Sequence, residues 1–402
     1  MLNDRFVREH PEIVRAGLRR RGDATTATLD AWLAADARRR ALAAERDTAA
    51  SARRESQTRD GDFSAARREL AEVEAEARTL MLQLPNPPAD DVPEGVGSHA
   101  NVEMRRGGAP PVFTFTPAPH WELARALGIF DAAGATKLAG PRFPLLLGMG
   151  ARLARALATL MLDHHTARGY IEVAPPYLVR AATLVGSGHL PHFSGEMYRI
   201  AGEDLTLSPT AETQLIGLHA GETLPEERLP LAYASWAPAF RREAGSAGRT
   251  THGLLRQHQF EKVELVRVVT PETAATAFQT LVADAEAVVL ALGLPYRIVA
   301  LCAGELPFSS ARTWDIEVWM PSQPAYVEVS SISDCGTFQA RRSRLRYRPA
   351  GARPRYPHTL NGTGLAIGRT LAALLENGQR ADGSVALPPA LHAYVGADAL
   401  TP

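Results

Sequence analysis

Residues 240–264 begin with FRREAGSAGR at 240–249 and end with RQHQFEKVE at 256–264. Two β-prone segments flank a loop of small residues, a pattern that predicts a strand, a turn and a second strand. Side chains of alternate residues in such a hairpin lie on one face. An arginine, an aromatic ring and carboxylates on that face suit a nucleotide, and an exposed hairpin with alternating charges is the competing interpretation. The residues concerned are Arg241, Glu243, Phe260 and Glu264.

The sequence on either side of this hairpin mixes short apolar segments with helical stretches. Residues 170–173, 316–319 and 326–329 are typical of strands, because Pro, Gly or Asp bounds each apolar run. Residues 151–168 and 271–292 are predicted to be helices. Since the strands cluster instead of alternating strictly with helices, we predict an α+β domain built on an antiparallel sheet with flanking helices.

An Ala-, Arg- and Glu-rich segment at about residues 29–84 precedes that domain. Apolar residues recur in it at alternating steps of three and four, which predicts an antiparallel coiled-coil arm with its turn at residues 59–62. A Pro-rich linker follows, so we expect an N-terminal domain at residues 1–111 and the α+β domain at residues 112–402. The apolar seam is Phe63, Ala66, Leu70, Val73, Ala77, Leu80 and Leu84.

The first helix of the arm is predicted to be strongly basic. Its arginines suit the phosphate backbone of a nucleic acid, which Arg binds without reading sequence. The competing interpretation is a solvated coiled coil whose two helices attract each other through opposite charges. The candidate nucleic-acid contacts are Arg38, Arg39, Arg46, Arg53 and Arg54.

The composition limits the class of protein. Lys plus Arg and Asp plus Glu each total 44, so a nucleic-acid partner would need a local basic face. The chain has two cysteines, too few for a disulfide framework or a four-cysteine zinc site. We expect no targeting segment and no membrane span, and hence a cytoplasmic protein without zinc. Only two lysines, Lys137 and Lys262, occur among the many arginines.

Several of these segments resemble the signature motifs of the bacterial seryl-tRNA synthetases. The match to motif 2 is carried by residues 240–246 and 256–264, and the match to motif 3 by NGTGLAIGRT at 361–370. Pro176 stands where motif 1 of the family closes a dimer interface. The remaining matches are PTAE at 209–212, which resembles the serine-binding loop, and EVSS at 328–331 with FQARR at 338–342, which resemble the metal and ATP segment.

The resemblance implies a homodimeric class II aminoacyl-tRNA synthetase whose arm binds tRNA(Ser), and tRNA(Sec) as well. The implied reaction has two steps. The carboxylate of L-serine attacks the α-phosphate of ATP and expels pyrophosphate, and the seryl group then passes to the terminal ribose of the tRNA. Both steps depend on positioning and on neutralising phosphate charge. Mg²⁺, a hard cation that bridges phosphates, is implied beside ATP.

The resemblance also assigns roles to individual residues. The implied catalytic residues are Arg241, Arg369 and Glu328, and Glu328 and Ser331 would bind Mg²⁺. Serine binding is implied for Thr210, Ala211, Glu212, Arg241, Glu264, Asn361 and Thr363. ATP binding is implied for Arg241, Arg242, Glu243, Phe260, Glu328, Val329, Ser330, Ser331 and Arg369.

The chain departs from the family in several places. Thr250 and His252 stand where the family usually has Asp and Arg, in the loop that meets the tRNA acceptor end, and Arg242 replaces a usually small residue. The arm is shorter by about two turns per helix. These departures suit a divergent second copy that serves antibiotic resistance or biosynthesis. Two further functions compete with tRNA charging: activation of an amino acid for a non-tRNA acceptor, and tRNA binding without catalysis.

Overall fold

The computed structural model describes residues 1–22, 25–56, 64–244 and 253–402, without the side chains of residues 49–50, 52–56 and 64. The N-terminal part consists of α1 (Asp4–Glu9), α2 (Pro11–Arg20), α3 (Thr26–Ser56) and α4 (Ser64–Gln83). Helix α3 packs along α4, so the two form the predicted helical arm. The predicted turn at residues 59–62 and the seam residue Phe63 lie outside the described residues.

The apolar seam of the arm is buried only toward its base. Leu70, Val73, Ala77 and Leu84 are buried, whereas Ala66 is exposed. Leu80 is half-buried, and the seam also includes the buried Met81, which the spacing did not predict. Burial therefore concentrates where α4 approaches the body of the protein.

The base of the arm is an apolar cluster shared with the body. Leu18, Trp32 and Met81 of the N-terminal helices pack with Phe308 and Phe338 of the C-terminal part. Burial of large apolar side chains is worth about 1.5–3 kcal/mol each, so this cluster fixes the direction in which the arm leaves the body.

The buried carboxylate of Asp36 forms ion pairs with three arginines at the base of the arm. The Asp36 side chain is only 3% exposed, and its oxygens lie 3.0 Å from Arg8, 2.6 Å from Arg39 and 3.1 Å from Arg40. A buried carboxylate surrounded by donors is stable only while the donors remain in place. Asp36 thereby joins α1 to α3 at the foot of the arm.

The C-terminal part is built on strands whose bounds follow the expected positions. The strands are β1 (Val102–Gly107), β2 (Ile171–Glu172), β3 (Leu178–Val179), β4 (Thr206–Leu207), β5 (Thr223–Pro225), β6 (Leu231–Phe240), β7 (Gln259–Val269), β8 (Tyr296–Ala300), β9 (Arg312–Met320), β10 (Ala325–Asp334), β11 (Arg346–Arg348), β12 (His358–Ala366), β13 (Val385–Ala386) and β14 (Ala399–Leu400). Eight of them form one sheet in the order β1-β8-β9-β10-β12-β7-β6-β2. All neighbours in it are antiparallel except β2 and β6.

The predicted α+β class with an antiparallel sheet is thus confirmed. Strand β1 lies inside the segment expected to be linker, before residue 112, yet it forms one edge of the sheet by pairing with β8. Its exposed, charged sequence carries no core-facing alternation, so the hydrophobic pattern alone does not predict it.

Helices pack on both faces of the sheet. They are α5 (His120–Ala126), α6 (Ala132–Ala139), α7 (Met149–Thr166), α8 (Ala181–Ser187), α9 (Ala211–Gly217), α10 (Ala274–Ala291), α11 (Phe338–Ser343), α12 (Ile367–Gly378) and α13 (Pro389–Val395). Helices α7, α10 and α12 cover one face of the central strands, whereas the short helices α9 and α11 pack on part of the other face. The segment Pro271–Ala291 is long and apolar enough to cross a membrane by composition, and half of it is buried inside the fold. Packing against the sheet accounts for that apolar composition.

The alternation of β7 separates the core from the opposite face. Val263 and Leu265 belong to the same apolar cluster as Phe278 of α10 and Leu371 of α12. Because side chains alternate along a strand, Phe260, Lys262 and Glu264 point to the other face. That face carries the candidate site.

Replacing Asp36 with Asn should loosen the foot of the arm. The variant keeps the shape but removes the charge that three arginines share, and hydrogen bonds to charged groups are worth about 1.5–3 kcal/mol. Amide hydrogen exchange of the peptide 26–48 should therefore accelerate by roughly tenfold or more. Asp47→Asn, which removes an exposed partner of Arg46 on the same helix, is the control and should leave that exchange unchanged. Equal rates in the two variants would contradict the role given to Asp36.

Candidate functional site

A cavity of about 560 Å³ opens on the sheet face opposite to the one that α7, α10 and α12 cover. Its walls come from β7, β10 and β12, the start of α9, the residue after β6, and the segment before β9. Most of the residues singled out from the sequence line this one cavity: Glu212, Arg241, Glu243, Phe260, Glu264, Glu328, Val329, Ser331, Asn361, Thr363 and Arg369. Chain segments far apart in sequence therefore converge on a single site.

One end of the cavity is acidic and hydrogen-bonded. Thr210 caps the N-terminus of α9, accepting from the backbone N–H of Glu212, and donates to Oε2 of Glu264 over 3.3 Å. The Oε1 atom of Glu212 accepts from Nε2 of Gln339 and, over 2.9 Å, from Nδ2 of Asn361. Neutral donors thus contribute to the orientation of both carboxylates. Gln339, on α11, was not identified as a site residue from the sequence.

Burial makes both carboxylates hard to ionise. It raises the pKa of Glu212 to about 7, helped by the negative charge of Glu264 and opposed by the positive charge of Lys262. The pKa of Glu264 is raised by burial as well, against the opposing charge of Lys262. Two buried carboxyl groups with raised pKa values are suited to bind a cation, because the positive charge of the ligand stabilises the ionised form of both.

The opposite end of the cavity combines an aromatic ring with a guanidinium group. The guanidinium carbon of Arg241 lies 5.2 Å from the centre of the Phe260 ring, and its Nε donates to the carbonyl of Pro209 over 3.2 Å. Burial lowers the pKa of Arg241 below its ordinary value. Glu243, at a positive φ of 49°, accepts from Nε of Arg256 over 2.6 Å. This end offers a flat apolar surface beside positive charge.

A β-bulge positions the third group. The register of β10 against β9 shifts between Glu328 and Ser330, so Glu328 and Ser331 point to the same face although three positions separate them. The guanidinium of Arg369 donates to the carbonyl of Glu328 over 2.8 Å and lies 3.2 Å from its carboxylate. Arg369, at the start of α12, is thereby held above the strand ends.

Asp315 is a residue of this region that sequence reasoning missed. It pairs with Ser331 across β9 and β10, it is 8% exposed, and its Oδ1 has no hydrogen-bond partner among the described residues. Burial and the charge of Glu328 raise the pKa of Asp315 well above its ordinary value. The alternation of β9 identifies the face of Asp315, but only the structure places it beside Glu328.

Four of the residues proposed from the sequence do not line the cavity. Thr210 acts through Glu264, and the buried Ala211 follows it in the first turn of α9. Ser330 is buried and donates to the carbonyl of Thr363, which supports the floor of the cavity. Arg242 is exposed, and its backbone N–H donates to the carbonyl of Glu196.

The arm arginines lie in a separate part of the structure, on α3. Arg38 pairs with Glu69 across the arm over 2.8 Å, which is the attraction between helices foreseen as the competing interpretation. Arg39 pairs with Asp36, and Arg46 with Asp47. The side chains of Arg53 and Arg54, and the loop residues Gly245, Ser246, Thr250 and His252, lie outside the described residues.

Comparison with known proteins places this geometry in a family. The sequence model of the tRNA synthetase class II core domain (G, H, P, S and T) matches residues 196–378. Over the full length of both chains, the protein is 44% identical to the serine–tRNA ligase of Heliobacterium modesticaldum. The chain belongs to the serine–tRNA ligase family.

Solved structures of the serine–tRNA ligase family agree with the whole architecture. The seryl-tRNA synthetase from Pyrococcus horikoshii complexed with ATP superposes with a TM-score of 0.92 at 33% identity, covering 100% of both chains. The cytoplasmic serine–tRNA ligase from Naegleria fowleri in complex with AMP superposes with a TM-score of 0.88 at 28% identity, covering 98% of this chain and 96% of that one. The arm and the sheet domain of this chain are therefore both family features.

Replacing Glu212 with Gln should stabilise this serine–tRNA ligase family member at neutral and higher pH. Glu212 has a raised pKa in the folded state, so ionising it costs folding free energy as the pH rises from about 4.5 toward 7. Gln keeps an oxygen that accepts the bonds from Gln339 and Asn361 without the charge. The stability gain should be absent at low pH and reach about 3 kcal/mol above pH 7.

Thermal unfolding of both proteins across that pH range measures the gain. The matched control is Glu122→Gln, at an exposed position on α5. A gain that does not depend on pH, or one that is largest in acid, would contradict the raised pKa of Glu212.

Proposed function

We propose that the protein is a serine–tRNA ligase that activates L-serine with ATP and transfers the seryl group to the 3′ end of tRNA(Ser). The observation that carries the proposal is one cavity with an acidic, hydrogen-bonded end and an arginine–aromatic end. An amino acid with a free ammonium group fits the first, and a nucleotide fits the second. The reaction needs no enzyme nucleophile, since serine's own carboxylate attacks the α-phosphate and the cavity aligns the two reactants.

Serine is held at the acidic end. Its ammonium group is positive and needs the ionised carboxylates, and its hydroxyl can donate to Glu264, whose oxygens face the cavity beside Thr363. Thr210 and Asn361 keep those carboxylates in place. A site built to hydrogen-bond a hydroxyl rejects an amino acid that lacks one, because its own polar groups are then left unpaired. Alanine is therefore a poor substrate.

ATP occupies the other end. Phe260 offers its ring to adenine, and Glu243 can accept from the exocyclic amino group, as carboxylates do for such donors. Arg241 lies beside Phe260, and its charge also acts on Glu264, so it can hold the carboxylate of serine and the α-phosphate together. Arg369 supplies a second positive charge for the outer phosphates. Both cations stabilise the charge that develops as pyrophosphate leaves.

Glu328 and Ser331 fit the Mg²⁺ that accompanies ATP. Both present oxygen atoms on one face, and the buried Oδ1 of Asp315 beside them has no hydrogen-bond partner among the described residues. Mg²⁺ prefers oxygen ligands and is usually held by one or two carboxylates plus substrate phosphates. When bound, the ion would neutralise phosphate charge. This chain's own contribution is the orientation of Glu328 through its bonds to Arg369.

The arm and one sheet edge serve macromolecular partners. In this function tRNA binds the basic face of α3, where the Arg46 side chain is about half exposed. A second copy of the chain binds at the edge formed by β2, near which the large side chains of Ile171, Tyr177 and Leu178 are exposed. A free strand edge is a template for pairing with another chain, and two-fold homodimers are the commonest soluble oligomers. The free thiols Cys302 and Cys335 are consistent with a cytoplasmic enzyme.

The decisive experiment measures charging of bacterial tRNA with labelled serine, ATP and Mg²⁺, together with serine-dependent ATP–pyrophosphate exchange. We expect serine-selective charging, and we expect Glu264→Ala to abolish exchange while ATP binding persists, because Glu264 contacts only the amino-acid end. Exchange without charging would favour an amino-acid-activating relative that uses a non-tRNA acceptor. No exchange with serine would refute the proposal.

Shortening the arm should separate the two steps of the reaction. Deleting residues 41–66 and joining the helices by a short Gly-Ser turn keeps the Arg38–Glu69 pair and the apolar base. Serine-dependent exchange should remain within about twofold of the intact protein, whereas charging should fall by at least tenfold, since each 1.4 kcal/mol of lost tRNA binding is a factor of ten. Undiminished charging would show that the arm does not hold the tRNA.

A further inference from the structure

Lys262 is one of only two lysines in a chain that otherwise uses arginine, and it lies inside the cavity. It stands on β7 between Phe260 and Glu264, on the same face of the strand, and its side chain is 9% exposed. A lysine is rarely buried unless its charge is paired. Its position and burial therefore call for a function of its own, which the roles given above to the site residues do not include.

The partner of Lys262 is the carboxylate expected to receive serine. Its Nζ forms an ion pair with Oε2 of Glu264, the oxygen to which Thr210 also donates. Both contacts fall on the same oxygen, which leaves Oε1 as the oxygen offered to a ligand. The Glu264 side chain is 2% exposed, so the pair is shielded from solvent and its charges interact strongly.

Without Lys262, carboxylates would outnumber cations at the acidic end of the cavity. Glu212 on α9 and Glu264 on β7 bring two negative charges to the acidic end, and Arg241 after β6 faces Glu264 from the nucleotide side. His189, in the loop after α8, is also in the wall; burial lowers its pKa to about 3, so it is neutral. Lys262 is thus the cation that offsets the second carboxylate before serine arrives.

We propose that Lys262 is a positioning residue for serine: by its ion pair it keeps Glu264 ionised and turned so that one oxygen is free for the substrate. The inference rests on the proposed function, because it assigns serine to this end of the cavity. Lys262 does not touch the reacting atoms. It acts through Glu264, and its loss is felt as weaker serine binding and not as weaker ATP binding.

Removing Lys262 should raise the pKa of Glu264 further. Burial already raises the pKa of Glu264, and the lysine charge opposes that rise. Without the charge, Glu264 takes up a proton at higher pH, and a neutral carboxyl group cannot pair with the ammonium of serine. The acid limb of the serine kcat/KM profile should therefore move to higher pH, and serine binding should recover as the pH is raised.

The test compares Lys262→Met with Lys262→Arg in serine-dependent ATP–pyrophosphate exchange. At neutral pH we expect Lys262→Met to raise the KM for serine by roughly 10- to 100-fold with little change in the KM for ATP, as for loss of a bond to a charged group. The acid limb should shift upward, and Lys262→Arg should restore much of the affinity because it keeps the charge. Lys137→Met, at the other, exposed lysine on α6, is the matched control and should behave as the unmodified protein.

A second measurement separates positioning from simple structural damage. In a Glu264→Gln background, Lys262→Met should cause little further loss of serine affinity, because the lysine acts only through the carboxylate. Equal increases of the KM values for serine and ATP, an unshifted pH profile, or full additivity with Glu264→Gln would overturn the inference. Circular dichroism shows whether Lys262→Met folds. If it does not fold, Lys262→Arg alone tests the inference. A serine KM raised by tenfold or more in Lys262→Arg would refute a role for the charge, and a near-normal KM with an unshifted acid limb would support that role.

Different results refute the proposed function and the role of Lys262. Absence of serine-dependent exchange in the unmodified protein would refute the proposed function and the role of Lys262 together. Normal exchange in the unmodified protein with an unaltered Lys262→Met variant would refute only the role of Lys262.

Discussion

The candidate site depends on the pairing of β7 with β6 on one side and β12 on the other. The register places Glu264 opposite Ser235 and Thr363, and so fixes the face on which β7 presents its charged residues. A slip of one residue would exchange that face with the face that carries Val263 and Leu265. The burial of those two side chains against the helices is therefore what keeps the charges in the cavity.

Two β-bulges give site residues orientations that a regular strand would not allow. The first, between Glu328 and Ser330, turns Glu328 toward Ser331. The second falls between Thr363 and Ala366, where the buried Leu365 has a positive φ of 116° that a branched side chain rarely adopts. It lies immediately before α12, which carries Arg369. The irregular backbone of β10 and β12 thus lies next to the charged residues of the site, Glu328 and Arg369.

The sequence predicted strands β2, β6, β7, β9 and β10, the helices of the arm with α7 and α10, and eleven of the residues that line the cavity. Each of these depends on local periodicity or on a motif of contiguous residues. The sequence did not predict Gln339 beside Glu212, or Asp315 beside Ser331, because these contacts join segments whose separation in sequence carries no signal. Strand β1 was missed since its residues are exposed and polar. The pairing of Asp36 with Arg8 depends likewise on how α1 packs against α3.

The short helix α11 links the arm to the acidic end of the cavity. Gln339, on one side of it, donates to Glu212, while the guanidinium of Arg342 donates to the carbonyl of Leu82 in α4 over 2.7 Å and lies 4.6 Å from the ring centre of Phe338. Six residues of helix therefore contact both the foot of the arm and Glu212, a carboxylate whose pKa is raised by burial. Because α11 is too short to be stable alone, its position depends on both contacts, and the foot of the arm is part of the support of the pocket.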